Sequence, residues 1–168
     1  ELESAKEEQQ SLNEELATVN SELQMKIDEL SEANQHMINL LENLQIPILF
    51  LDNDLKIRRF TSPVADLIKV IPSDVGRPLS DIVTSINGID LSRTASEVLS
   101  SLVYQEHDVR THDGRWYRMR VFPYRTQDNV IDGVLITLLS IQEQVQALKA
   151  SDEARRFAEA IVDTVREP

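Results

Sequence analysis

The side chains of this 168-residue chain best suited to acid–base or metal chemistry are three histidines set among 29 carboxylates, with no cysteine. His107 and His112 bracket one strand-like segment and its turn, with Asp108 and Asp113 beside them, and a His–carboxylate set can in principle ligate a metal. The spacing is that of no helical His pair or other recognisable metal motif, and histidines in turns ordinarily face solvent. His36 stands alone in a long helical pattern. The lack of Cys excludes disulfides, thiolate metal sites, thiol nucleophiles and cysteinyl–flavin adducts. Serines and aspartates are plentiful, yet no glycine-rich nucleophile elbow or phosphate loop accompanies them. The expectation is a non-catalytic chain with no metal, in which nothing selects a flavin or a heme.

The elements that carry these residues follow from period and punctuation. Ile48 to Leu51 form a short apolar strand, Asp52, Asn53 and Asp54 supply turn chemistry, and Leu55 to Phe60 return as a second strand. Thr61 is placed to cap a short helix with Pro63 in its first turn. Pro72, Gly76 and Pro78 break the chain into turns through Ile82. Leu91 to Tyr104 reads as a helix capped by Ser92 or Ser96, with Leu91, Ala95, Val98, Leu99 and Leu102 on one side. Three strands follow, Glu106 to Thr111, Arg115 to Arg125 and Val134 to Leu139. In the middle one Tyr117, Met119 and Val121 alternate with Arg118, Arg120 and Phe122, so one face is core and the other wet. Arg118 and Arg120 read as a solvated stripe.

Upstream of all this lies a heptad pattern with no Gly or Pro. Leu2, Leu16, Leu23, Leu30, Met37 and Leu44 share one heptad position, and Ala5, Leu12, Val19, Ala33 and Leu40 share its partner. So narrow a stripe fits a two-stranded coiled coil better than a globular core face. It predicts a rod of roughly 65 Å, paired with a second copy through Leu16, Leu23, Leu30, Met37 and Leu44. Gln9 and Lys26 interrupt the seam. A second register (Ile27, Leu30, Asn34, Met37, Leu41 and Leu44) begins after a four-residue stutter, as would suit a conformational relay. The heptads leave open whether the rod pairs in parallel.

Charge divides the chain at the same place. Residues 1–44 hold eleven acidic and two basic side chains, against twelve and eleven in residues 45–140. So acidic a rod repels nucleic acid and anionic lipid. No signal-peptide pattern is present and no apolar run approaches the roughly 18 residues a membrane span needs. The expected setting is cytoplasmic, for what reads as an excised piece of a longer protein.

Two strands, several short helices and three strands, flanked by long helices, resemble the PAS sensor domain over about residues 45 to 140. The residues that carry the likeness are ILFLDNDLKIRRF (48–60), IPSDVGRPLSDI (71–82) and DGRWYRMRVFPYR (113–125). The resemblance implies an α+β fold, a five-stranded antiparallel sheet with short helices on one face. It also implies a space between sheet and helices lined by Ile48, Phe50, Ile57, Val98, Leu102, Tyr117, Met119, Val121, Ile136 and Leu138, with Trp116 and Tyr117 as polar handles. Such a space is either a ligand pocket or a filled core.

The heptads SLNEELATVNSELQ (11–24) are similar to those before the sensor in chemotaxis methylesterase–methyltransferase fusion proteins. That likeness implies upstream and downstream signalling domains in the same chain. Glu7-Glu8 and Glu14-Glu15 loosely resemble the paired-glutamate methylation sites of chemoreceptor helices, making the rod a candidate methylation substrate. Many PAS domains end in an Asp-Ile-Thr junction that clamps the outgoing helix. Here Ser140-Ile141-Gln142 stands in that place, with Ser140 as the expected cap.

From 141 to 168 a linker helix is expected. Ala154, Ala158, Ile161, Val162, Val165 and Pro168 repeat the spacing of Ala33, Met37, Leu40, Leu41, Leu44 and Pro47, which predicts a further PAS-like domain downstream. The whole reads as a dimeric module that relays a signal without catalysis, or as a structural dimerisation spacer.

Overall fold

The computed structural model describes residues 1–166, with the side chain of Arg166 apart. Pro168, the last member of the tail repeat, lies outside them. The chain divides after Leu44 into two units. The first is α1 (Leu2–Asn43), one unbroken helix in which, among its described residues, none is buried. Exposure of the large apolar side chains along its seam runs from 49% at Val19 to 89% at Leu2. The helix gives way at Leu44 to a turn in which Gln45 adopts positive φ, and Pro47, which has no N–H and disfavours helical geometry at Ile46, keeps the helix from resuming.

The second unit is a sheet covered on one face. Its described strands are β1 (Ile48–Leu51), β2 (Ile57–Phe60), β3 (Ile86–Asn87), β4 (Gln105–Thr111), β5 (Trp116–Arg125) and β6 (Ile131–Ser140). They form one antiparallel sheet in the order β2-β1-β6-β5-β4-β3. This is the expected α+β fold with six strands instead of five. The extra one is the two-residue β3, too short to leave a periodic signal. Three 3-10 turns (Ser62–Asp66, Pro72–Asp74 and Leu79–Asp81) and α2 (Leu91–Ser101) complete the domain, and α3 (Gln142–Arg166) leaves it.

Local chemistry explains the turns. Asp52 Oδ1 accepts the N–H groups of Asp54 and Lys56, each at 2.9 Å, and this Asx turn closes the β1–β2 hairpin. Asp90, not Ser92 or Ser96, caps α2 by accepting the Arg93 N–H at 3.1 Å. The helix stops three residues early because Leu102 turns left-handed at φ 59°, which leaves its side chain 41% exposed. Leu102 is therefore not on the core face where its spacing placed it. Thr61 does precede a 3-10 turn, but its hydroxyl does not cap it: Oγ1 donates to the Ile46 carbonyl at 2.7 Å and accepts the Ile48 N–H at 2.9 Å. Thr61 thus binds the end of β2 to the start of β1.

The core lies between the sheet and α2 with its neighbouring turns. Leu49, Leu51, Ile57, Leu67, Ile68, Met119, Ile136 and Leu138 are fully buried there, with Val98 and Val121 among them.

Candidate signal-relay site

The strand register determines which side chains line the space between sheet and helices. Residues directly opposite on paired strands share a face. Leu49 stands opposite Ile136 and Leu51 opposite Val134, while Met119 faces Leu138 and Val121 faces Ile136. The lining is therefore built from Leu49, Leu51, Ile57, Val98, Tyr117, Met119, Val121, Ile136 and Leu138. Phe50 stands opposite Leu135 and is only half-buried on the outer face, so its inward assignment is corrected, whereas Ile48, opposite Thr137, is buried but lies outside the core cluster. The reason is that Ile48 to Leu51 is apolar at every position and offers no alternation to read. Trp116 is corrected in the same way: it pairs with Arg110 on the outer face, whose guanidinium lies 5.9 Å from its ring centroid. Tyr117 does face the core, capped by the Arg115 guanidinium at 5.8 Å.

Polar groups on the outer face are mutually satisfied. Arg118 bonds Asp108 through two nitrogens at 2.8 and 3.1 Å, and Arg120 bonds Glu106 at 2.6 Å. The Arg118 guanidinium holds the Asp108 carboxyl below the usual carboxylate range, and Asp108 raises Arg118 in turn. The guanidinium stripe is thus occupied by carboxylates, not poised for an anion. Aromatic pairs flank it, Phe50 edge-on to Tyr124 at 6.2 Å and Tyr104 stacked on Phe122 at 5.8 Å.

Each histidine is engaged separately. His107 Nε2 lies 3.0 Å from Gln105 Oε1, His112 Nδ1 lies 2.7 Å from the Ser85 carbonyl, and His36 lies 3.8 Å from Glu32. Among the described residues no three His, Asp or Glu side chains converge as a metal site would need. Glu7, Glu8, Glu14 and Glu15 all stand exposed on α1.

Both ends of the domain are clamped by hydrogen bonds. At the incoming end, Thr61 N–H donates to Ile48 O at 3.0 Å and Leu138 N–H donates to Pro47 O at 3.0 Å. At the outgoing end, Trp116 N–H donates to Gln142 Oε1 at 2.9 Å, while Trp116 O accepts the Ile141 N–H at 3.0 Å. Ser140 does not cap the helix; it stays in β6 opposite Tyr117. Gln142 therefore supplies, through its carboxamide, a contact at the junction where Ser140 was the expected cap. Residue-type reasoning gave Gln142 no role of its own and gave Thr61 that of a helix cap, although each sits where a strand meets a helix or turn and bonds main chain there.

A long N-terminal helix, a six-stranded antiparallel sheet and a clamped outgoing helix are now in place. The family model of the PAS domain matches residues 37–142, ending on the junction glutamine. The chain belongs to the PAS domain family. It is 33% identical over 144 residues to an uncharacterized 104.1 kDa protein of Rhodobacter capsulatus from the hypE 3′ region, a match that covers 84% of this chain. The chain spans about 15% of that relative's length. Among solved structures, the PAS domain of an HTR-like protein from Haloarcula marismortui is similar at 18% identity and TM-score 0.50, covering 70% of this chain and 99% of the other. A C-terminal domain from Streptococcus mutans is similar at 18% identity and TM-score 0.51, covering 67% and 88%. These structures share the fold of this PAS domain. Among its described residues no helix is long and apolar enough to cross a membrane.

Proposed function

We propose that this chain is a non-catalytic sensory module that passes a signal between its PAS core and its outgoing helix, and that α1 joins it to a second copy. The observation that carries the reading is the junction at Trp116. Tyr117 lines the core, and its immediate neighbour bonds Gln142, the first residue of α3, through its N–H and Ile141, the residue before it, through its carbonyl. A change in core packing that shifts β5 is thereby felt at the start of α3, as a two-state relay requires. Heptads 11–24 and the 104.1 kDa length of the relative support a setting between larger modules of a cytoplasmic chemotaxis methylesterase–methyltransferase fusion protein. The tail repeat supports a further PAS-like domain downstream.

Purification followed by absorbance spectroscopy and mass spectrometry of the extracted protein tests for a co-purifying small molecule. Sedimentation at micromolar concentration tests the dimer. A bound molecule and a dimer are expected, and a monomer overturns the pairing through α1.

A second reading, a structural spacer with a filled core, is favoured by one observation. Leu49, Met119, Val121 and Ile136 are wholly shielded from solvent, as dense interdigitated packing requires. A dimer that carries no ligand and whose stability is unmoved by added cell extract metabolites would support the spacer over the sensor.

A further inference from the structure

The exposed seam of α1 carries a second regularity on its flanks. With Leu16, Leu23 and Leu30 at heptad position a and Leu12 and Val19 at position d, the position before a holds Glu8, Glu15, Glu22 and Glu29 in four successive heptads. Glu1 extends the series upstream. The position after d holds Asn13, Asn20, Ile27 and Asn34, preceded by Lys6. One edge of the seam is therefore a column of carboxylates, and the other is neutral except for a single lysine at its start. All of these residues are exposed along the helix.

Strand direction decides which edges meet. In a parallel pair, the edge before a on one helix faces the edge after d on the other. Glu8 then lies opposite Asn13, Glu15 opposite Asn20, and Glu1 opposite Lys6 across the two copies. In an antiparallel pair the like-lettered edges face each other, so the carboxylate column runs against its own copy. Close like charges destabilise a helical pair, whereas Glu against Asn does not. The one internal relief, Lys26 bonded to Glu29 at 3.1 Å within the same helix, neutralises a single member of the column.

We infer that α1 pairs with a second copy of itself in parallel and in register, an inference that rests on the dimer reading above. The charge pattern rejects the antiparallel alternative that the apolar seam alone allows. In this arrangement residues 45 onward of both copies leave the paired rod at the same end.

The absence of Cys makes the test clean. In the full chain, Leu16→Cys brings two thiols together in one layer only if the pair is parallel and in register. Mild oxidation should then convert most of the protein to a covalent dimer, and Leu30→Cys should do the same. In an antiparallel pair neither variant links to itself, while a mixture of Leu16→Cys with Ala33→Cys or with Lys26→Cys does, and that result overturns the inference. Because a seam thiol can weaken pairing, a spin label on Ser4→Cys, away from the seam, gives an independent reading. A label separation of about two helix diameters, ~20 Å, supports parallel pairing, and one near 55 Å, set by the rise of about 1.5 Å per residue, overturns it. A chain that sediments as a monomer overturns the dimer reading itself, whereas a dimer with antiparallel links overturns only the direction.

Discussion

Trp116 donates its main-chain N–H to Oε1 of Gln142 at 2.9 Å, so the first residue of β5 is bonded to the first residue of α3. Replacing Gln142 by Ala removes the acceptor, and such a bond is worth about 1 kcal/mol net. Amide exchange at Trp116 should accelerate by roughly fivefold, read by hydrogen exchange with mass or NMR detection. Gln142→Glu keeps an oxygen acceptor and adds charge favourable to a helix N-terminus, so it should restore protection. Equal exchange in all three proteins would remove this bond from the relay.

Leu49 and Phe50 are neighbours with opposite roles. Leu49→Ala empties a wholly buried site and should lower unfolding free energy by about 2–5 kcal/mol. Phe50→Ala strips a half-buried outer-face ring and should cost at least about 1 kcal/mol less than that. Urea denaturation of both variants checks the facing of β1. A larger loss at Phe50 would reverse it.

Gly133 sits at φ 147° where β6 passes β1, and a Cβ built on it would lie 1.9 Å from the Leu51 carbonyl oxygen. Gly133→Ala must therefore push β1 from β6. Strain of this kind costs about 1–3 kcal/mol even before the clash is counted. The expected result is a fall in thermal midpoint of several degrees; a midpoint equal to that of the parent would show that the two strands yield freely.

Asp74 is buried and accepts the Ile71 N–H at 2.9 Å and an Arg77 N–H at 2.5 Å. The Ile71 bond, followed by the Arg77 bond, holds its carboxyl below the usual range. A folded-state value lower than the unfolded one means stability that is present at neutral pH and lost as pH falls from about 4 through the folded value. Asp74→Asn should thus be less stable than the parent at pH 7, with the gap closing on acidification. A gap unchanged between about pH 7 and pH 3 would assign the loss to shape and not to charge.

Much of this architecture was legible because its periods are strong. The unbroken helical period of α1, the acidic turn at Asp52 to Asp54 and the alternation of Tyr117, Met119 and Val121 each carry a strong local signal. The failures have a common physical origin in segments without contrast. Ile48 to Leu51 is apolar throughout, so only its pairing with β6 decides that Leu49 and Leu51 turn inward. Leu102 fits the α2 stripe by spacing, but the helix ends on it in a left-handed turn. β3 is two residues long and exists through its partner, β4. Gln142 and Thr61 act through side-chain hydrogen bonds to main chain distant in sequence, which no local pattern encodes.

The bond from Leu138 N–H to Pro47 O and the antiparallel register of β1 with β6 have a mechanical consequence. Ile48 begins β1 opposite Thr137, close to where β6 ends at Ser140, so the domain is gripped from outside at one end of two adjoining strands. Tension along the polypeptide would load their hydrogen bonds one after another, as a zipper opens, instead of shearing them together. The Pro47–Leu138 bond is the outermost rung of that zipper on the β1 side, and the Ile141–Trp116 bond its counterpart where the chain leaves β6.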